Sequence, residues 1–214
     1  MQKERIPIAK EGYPFIAFSA FLSLICAILG LSLVTLCLVV ISTFILMFFR
    51  DPERMVPAIE RGVISPADGK IIVVDKTHDE RFSEHEMMKI SIFMNVFDVH
   101  VNRIPFSGKV QQIQYVTGAF LAADSAKAHL NNEYCAVSIE TAGGQQLTMV
   151  QIAGLVARRI ICRLERGDSV TVGERFGLIR FGSRVDLYLP TGSNPTVKVG
   201  DKVRAGESLL AYLG

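Results

Sequence analysis

The fold class this sequence predicts is mainly β. It is a β-sandwich or flattened barrel with lipoyl-like β-hairpin elements and one short helix, carried behind an N-terminal membrane-embedded helical hairpin. Three observations predict it: a long uncharged run at one end, a succession of short β-branched segments after it, and an internal echo of Gly-Asp and Gly-Glu turns.

From Phe15 to Phe49 there is no charged residue. Runs of about 18 or more apolar residues belong to membranes, whereas the apolar stretch of a cleaved signal peptide is only about 7–15 residues long. At about 1.5 Å per residue the run would extend roughly 52 Å as one helix, against a hydrocarbon core of about 30 Å. Two short helices folding back near Gly30 therefore fit better than one strongly tilted span. Lys3, Arg5 and Lys10 precede the run, and Arg50, Arg54 and Arg61 follow it. Positive flanks stay on the cytoplasmic side, so both ends are expected at the cytoplasmic face of the cell membrane. Residues 1–50 form this anchor. The character changes at the polar, proline-bearing stop Arg50-Asp51-Pro52-Glu53-Arg54, and residues 51–214 form the second domain.

Beyond the stop, short apolar segments alternate with Gly, Pro, Asp and Asn turns: Lys70–Val74, Lys89–Phe93, Gly108–Val116, Cys135–Glu140, Gln146–Ile152 and Val185–Leu189. Their lengths and β-branched content favour strands. Only Phe120–Asn131 reads as a helix. The echo pairs Gly167-Asp168-Ser169-Val170-Thr171-Val172-Gly173-Glu174 with Gly200-Asp201-Lys202-Val203-Arg204-Ala205-Gly206-Glu207. This spelling recurs in biotinyl/lipoyl-type hairpin domains and bears on fold, not on reaction.

Composition removes several functions. A net charge of +2 with no basic stripe argues against a nucleic-acid partner. The four cysteines, Cys26, Cys37, Cys135 and Cys162, form no CxxC or Cys/His cluster, so neither a metal site nor a disulfide framework is expected.

The chemistry concentrates between Arg175 and Pro190. A Gly-Ser pair is usually an ordinary turn, and Gly192-Ser193 is a second copy. The surroundings of Gly182-Ser183 are more specific: Arg175-Phe176-Gly177-Leu178-Ile179-Arg180-Phe181-Gly182-Ser183-Arg184-Val185-Asp186 resembles the processing site of the phosphatidylserine decarboxylases, in their short bacterial form. Four more segments resemble that family in order. They are Phe48–Arg54 after the anchor, the aspartate motif Ser65–Lys70, the histidine motif Asp98–Pro105, and the block Gly154–Ile160.

The resemblance implies a proenzyme that cuts itself between Gly182 and Ser183, giving chains 1–182 and 183–214 that stay together as a heterodimer. It implies a pyruvoyl group generated from Ser183 as the cofactor, and phosphatidylserine in the membrane as the substrate, decarboxylated to phosphatidylethanolamine. The residues suit that chemistry. Gly182 lacks a Cβ, so the Ser183 hydroxyl can approach the preceding carbonyl. A base must take the hydroxyl proton and then the Cα proton that drives elimination. His100 is a candidate because an unperturbed imidazole titrates near neutrality. Asp68 is another, either as base or as the group orienting a histidine; alone it reads as the first residue of an Asp-Gly turn. Longer family members carry a second histidine where this chain has Arg103. That relay is therefore not transferred, and Asp68 and His100 both remain open as the processing base. Arg103 is expected to take the lipid phosphate or carboxylate through its donor fork, or to form a surface ion pair.

Three other readings compete: a membrane-tethered lipoyl-like adaptor, a decarboxylase of an ether-linked serine phospholipid, and a metallopeptidase. The last needs paired His/Asp ligands, and only His100 stands near a suitable position.

Overall fold

The computed structural model describes residues 7–118, 132–154, 159–180 and 183–214. The expected helix at 120–131, His129, residues 155–158, Gly182, Lys3 and Arg5 lie outside the described residues. The chain divides into two compact units, Met1–Glu53 and Arg54–Gly214.

The first unit is a pair of helices, α1 (Tyr13–Ile28) and α2 (Ser32–Phe48), joined at Gly30. Gly30 sits at φ 72°, a left-handed conformation that glycine adopts without a Cβ penalty. Small residues Ser19, Ser23 and Cys26 form the buried face of α1, which lets the helix backbones approach. The hydroxyls of Ser19, Ser23, Thr35, Ser42 and Thr43 each donate to a carbonyl three or four residues back. Large apolar side chains, including Phe18, Phe21, Leu24, Leu33, Leu36 and Val40, are exposed instead. The ends meet where Ala9 N–H donates to the Phe49 carbonyl at 2.8 Å and Asp51 N–H to that of Pro7 at 2.8 Å.

The second unit is mainly β, as expected. In chain order its strands are β1 (Gly62–Ile64), β2 (Gly69–Thr77), β3 (Met87–Met94), β4 (Val101–Arg103), β5 (Gly108–Val116), β6 (Tyr134–Glu140), β7 (Gln146–Ala153), β8 (Ile160–Cys162), β9 (Ser169–Val170), β10 (Arg175–Ile179), β11 (Ser183–Pro190), β12 (Asn194–Pro195), β13 (Lys202–Val203) and β14 (Leu209–Tyr212). Eight form one curled antiparallel sheet in the order β13-β2-β3-β11-β7-β6-β5-β9. Two three-stranded sheets accompany it, β4-β10-β8 and β1-β14-β12. Strand alternation turns Ile90, Ile92, Val137, Met149, Val185 and Leu187 into one fully buried core.

The sequence echo is a structural echo. Its two short strands, β9 and β13, are the opposite edges of the eight-stranded sheet. Gly167, Gly173, Gly200 and Gly206 all take positive φ, from 76° to 102°. Asp168 and Asp201 each accept the N–H of the residue three positions earlier, Glu165 and Lys198.

Candidate active site

Ser183 opens β11, the strand hydrogen-bonded to β3 through Ser183↔Met94 and to β7 through Ser183↔Ala153. Alternation sends Ser183 and Val185 to the core and Arg184 and Asp186 to the other face. That face is buried too. Arg184 pairs there with Asp186 and donates to Ser91 Oγ at 2.9 Å, while Lys89 Nζ lies 3.2 Å from Asp186. The Arg-x-Asp spacing after the Gly-Ser pair is thus an ion pair along one strand face.

The Ser183 hydroxyl is fully buried and donates to the thioether Sδ of Met94 at 3.3 Å. Sulfur is a weak acceptor, so the hydroxyl is held in place but lightly. Asn102 Nδ2 donates to the same sulfur at 3.7 Å, and Gln151 Nε2 donates to Asn102 Oδ1 at 2.8 Å. Met94, Asn102, Gln151 and Ser183 are all fully buried, and they bridge the large sheet to β4. Sequence reasoning did not single out Met94, Asn102 or Gln151. Amides at buried positions of the apolar segments around β4 and β7 were the available signal.

His100 stands just before β4, and Ile179 N–H donates to its carbonyl at 3.4 Å, extending the β4–β10 ladder. It is therefore tied to β10, the strand that runs toward Ser183. Two residues apart on an extended segment, His100 and Asn102 share a face. His100 is fully buried, with Nδ1 3.0 Å from the Asp98 carbonyl. A carbonyl can only accept, so Nδ1 carries the proton and, in the neutral ring, Nε2 keeps the lone pair a general base uses. The loop before it is shaped by side-chain caps: Asn95 N–H to Asp98 Oδ2 at 2.9 Å and Phe97 N–H to Asn95 Oδ1 at 2.8 Å.

Asp68 and Arg103 belong to the turn scaffold. Asp68 Oδ2 pairs with Arg54 Nη2 at 2.8 Å and Oδ1 accepts the Ala205 N–H at 2.7 Å. Arg54 also pairs with Glu207 at 3.0 Å. Arg103, on the face of β4 opposite Asn102, donates from Nη1 to the Gly173 carbonyl at 2.9 Å and packs its Cδ near Gly206. It spans the two echoed glycine turns. Its backbone N–H donates to the Pro66 carbonyl at 2.9 Å, joining it to the Asp68 loop. Ser183, Met94, Asn102 and Gln151 form one chain of buried contacts, with His100 two residues from Asn102, while Asp68 and Arg103 lie in the turns.

Among the described residues no group of three or more His, Cys, Asp or Glu side chains could hold a metal ion. All four cysteines are free thiols.

Residues 41–211 match the family model for phosphatidylserine decarboxylase. A phosphatidylserine decarboxylase proenzyme of Desulfotalea psychrophila is 53% identical over 213 residues, covering 100% of both chains. That of Paraburkholderia xenovorans is 48% identical over 96% of this chain and 97% of the relative. That of Geobacter metallireducens is 46% identical over 100% of both.

Proposed function

This chain belongs to the phosphatidylserine decarboxylase family, the carboxy-lyases named in its relatives, and from that membership we propose that it cuts itself between Gly182 and Ser183 and decarboxylates phosphatidylserine with a pyruvoyl group made from Ser183. One observation carries the reading. At the start of a central strand, a fully buried serine hydroxyl rests on a weak thioether acceptor that also takes the Asn102 amide, two residues along the chain from the buried His100.

In processing, the Ser183 oxygen attacks the Gly182 carbonyl carbon, and the acyl group moves from nitrogen to oxygen as the amide becomes an ester. Removal of the Ser183 Cα proton then breaks the Cβ–O bond. Gly182 leaves as a carboxylate carrying the former serine oxygen. Water hydrolyses the dehydroalanine left behind, releasing ammonia and supplying the keto oxygen. We assign both proton removals to His100 through Nε2. The Asp68 oxygens are already engaged by Arg54 and the Ala205 N–H. Asp68 and Arg103 then support the site by fixing the turns around it.

The surrounding residues suit a pyruvoyl group at position 183. The Cβ that bore a hydroxyl becomes a methyl, and the Met94 thioether accommodates both, one as weak acceptor and the other as apolar wall. When formed, the group supplies a ketone that condenses with the substrate amine and takes up the electrons released with CO2. In this reading His100 would be the proton donor to the product.

After the proposed cut, residues 183–214 would stay bound. They contribute β11 to the interior of the large sheet, β13 to its edge, and β12 and β14 to a second sheet.

The helical pair is proposed as the membrane anchor. Lys10–Ile28 is long and apolar enough to cross, and only 17% of its most apolar window is buried within the structure. A soluble core helix would be mostly covered. Ser32–Phe48 is a shorter apolar helix. Basic flanks favour the cytoplasmic face.

The test is a denaturing gel of purified protein beside Ser183→Ala. Two fragments from the parent and one uncut, inactive chain from the variant are expected; fragments from Ser183→Ala would exclude the proposal.

A further inference from the structure

Gln151 is a buried polar residue that neither self-cleavage nor proton transfer uses. It lies on the core face of β7, fully buried among apolar neighbours. Its Nε2 donates to Asn102, but Oε1 has no hydrogen-bond partner among the described residues. A leucine would remove that orphaned oxygen but leave Asn102 Oδ1 without its donor. A Cβ at Gly177 of β10 would lie 2.3 Å from the Ile161 carbonyl oxygen, 2.9 Å from Gln151 Nε2 and 3.4 Å from Oε1, so the β8 backbone demands the glycine first and the amide packs against it.

The register puts this amide beside the reacting residue. Ala153 pairs with Ser183, and Gln151 is two residues earlier on the same strand face. Such diagonal neighbours stand about 7–8 Å apart. The contacts Gln151–Asn102–Met94–Ser183 close the same gap through side chains.

We propose that Gln151 recognises the serine headgroup, with Oε1 accepting a hydrogen bond from its amino nitrogen as that nitrogen comes up to residue 183. This rests on the reading of Ser183 as the reacting position. Donor chemistry selects the partner, because the headgroup carboxylate and phosphodiester only accept, while the amine donates. A neutral amide also suits the reaction better than a carboxylate. A carboxylate would hold the amine as ammonium, which cannot attack a ketone. The amide oxygen orients the nitrogen without fixing its charge, and Asn102 holds the amide in that orientation.

The experiment uses the full-length protein in detergent, with phosphatidylserine in mixed micelles. Gln151→Met and Gln151→Asn should both self-cleave. In the cleaved Gln151→Met protein, KM for phosphatidylserine should rise about tenfold with kcat changed much less. Trapping of the lipid on the small chain by cyanoborohydride, read by mass, should slow in parallel. If Gln151→Met does not fold, Gln151→Asn, which keeps the amide but draws it back, carries the same expectation. Gln151→Glu should shift the acid limb of the rate profile to higher pH, since the amine then gives up its proton less readily. Unchanged KM and trapping with no pH shift would overturn the proposal. So would folded but uncut Gln151→Met and Gln151→Asn, which would assign Gln151 to processing. Failure of the parent protein to cleave would instead refute the Ser183 reading.

Discussion

Replacing Asp68 by Asn separates a scaffold role from a catalytic one, because the two predict opposite effects on cleavage. The Asp68 and Arg54 side chains are only 12% and 9% exposed, and the carboxylate holds both Arg54 and the Ala205 N–H. Removing one partner of a buried pair costs about 3–5 kcal/mol when a charge is left bare. Here Arg54 keeps Glu207, and the Asn oxygen can still accept from Ala205. The loss therefore falls toward that of one charged hydrogen bond, about 2 kcal/mol. For a unit of this size that is a Tm decrease of about 4–8 °C. The assay is thermal unfolding in the uncleavable Ser183→Ala background, so that nicking does not confuse the comparison. Fragment yield is then followed in the cleavable protein well below the melting point. Cleavage should remain within about threefold of the parent, less than the 10²–10⁴ that a lost general base costs. A folded Asp68→Asn protein with unchanged Tm that stays uncut would instead make Asp68 the processing base.

His100→Ala should slow cleavage by about 10²–10⁴ while leaving the fold intact, measured as fragment appearance over time; cleavage at the parental rate would return His100 to a structural role. Deleting residues 15–49 should release the protein from membranes on alkaline carbonate extraction yet leave it cut, since the assigned groups all lie in the unit 54–214; retention in the membrane pellet would show that the anchor lies elsewhere. Asp79 gives a pH dependence. Burial alone pushes its carboxyl up, but Arg81 at 2.6 Å and the Tyr188 hydroxyl at 3.0 Å outweigh it and hold it below its ordinary value. Its stabilisation is therefore present above the unfolded value, about pH 4, and lost as pH falls through the folded one. The stability gap between parent and Asp79→Asn, read from denaturant midpoints, should be full near neutral pH and close in acid; a gap that widens in acid contradicts this.

What could be read in advance followed physical range. Segments such as Gly108–Val116 and Gln146–Ile152 are long enough for β-branched content to mark them, and both are strands. Gly30 interrupts an uncharged run too long for one span, and the helix pair turns there. The Gly-Asp echo was visible because glycines at positive φ have few substitutes. Strands of two or three residues, such as Val101–Arg103 or Ile160–Cys162, carry no periodicity to detect. The contacts of Asp68 with Arg54, Arg103 with Gly173, and Gln151 with Asn102 depend on pairings 14, 70 and 49 residues apart. Local pattern holds no information on such partners, so Ser183 and His100 stood out through their motifs while the amide network beside Ser183 did not.

Self-cleavage at Ser183 to make the reactive group is read out by the intact mass of the purified wild-type protein under denaturing conditions. Two chains are expected, residues 1–182 and residues 183–214, the smaller one beginning with a keto acyl group in place of a serine amine and gaining mass with a carbonyl reagent. A single chain of residues 1–214 that nonetheless releases CO2 from phosphatidylserine would contradict it.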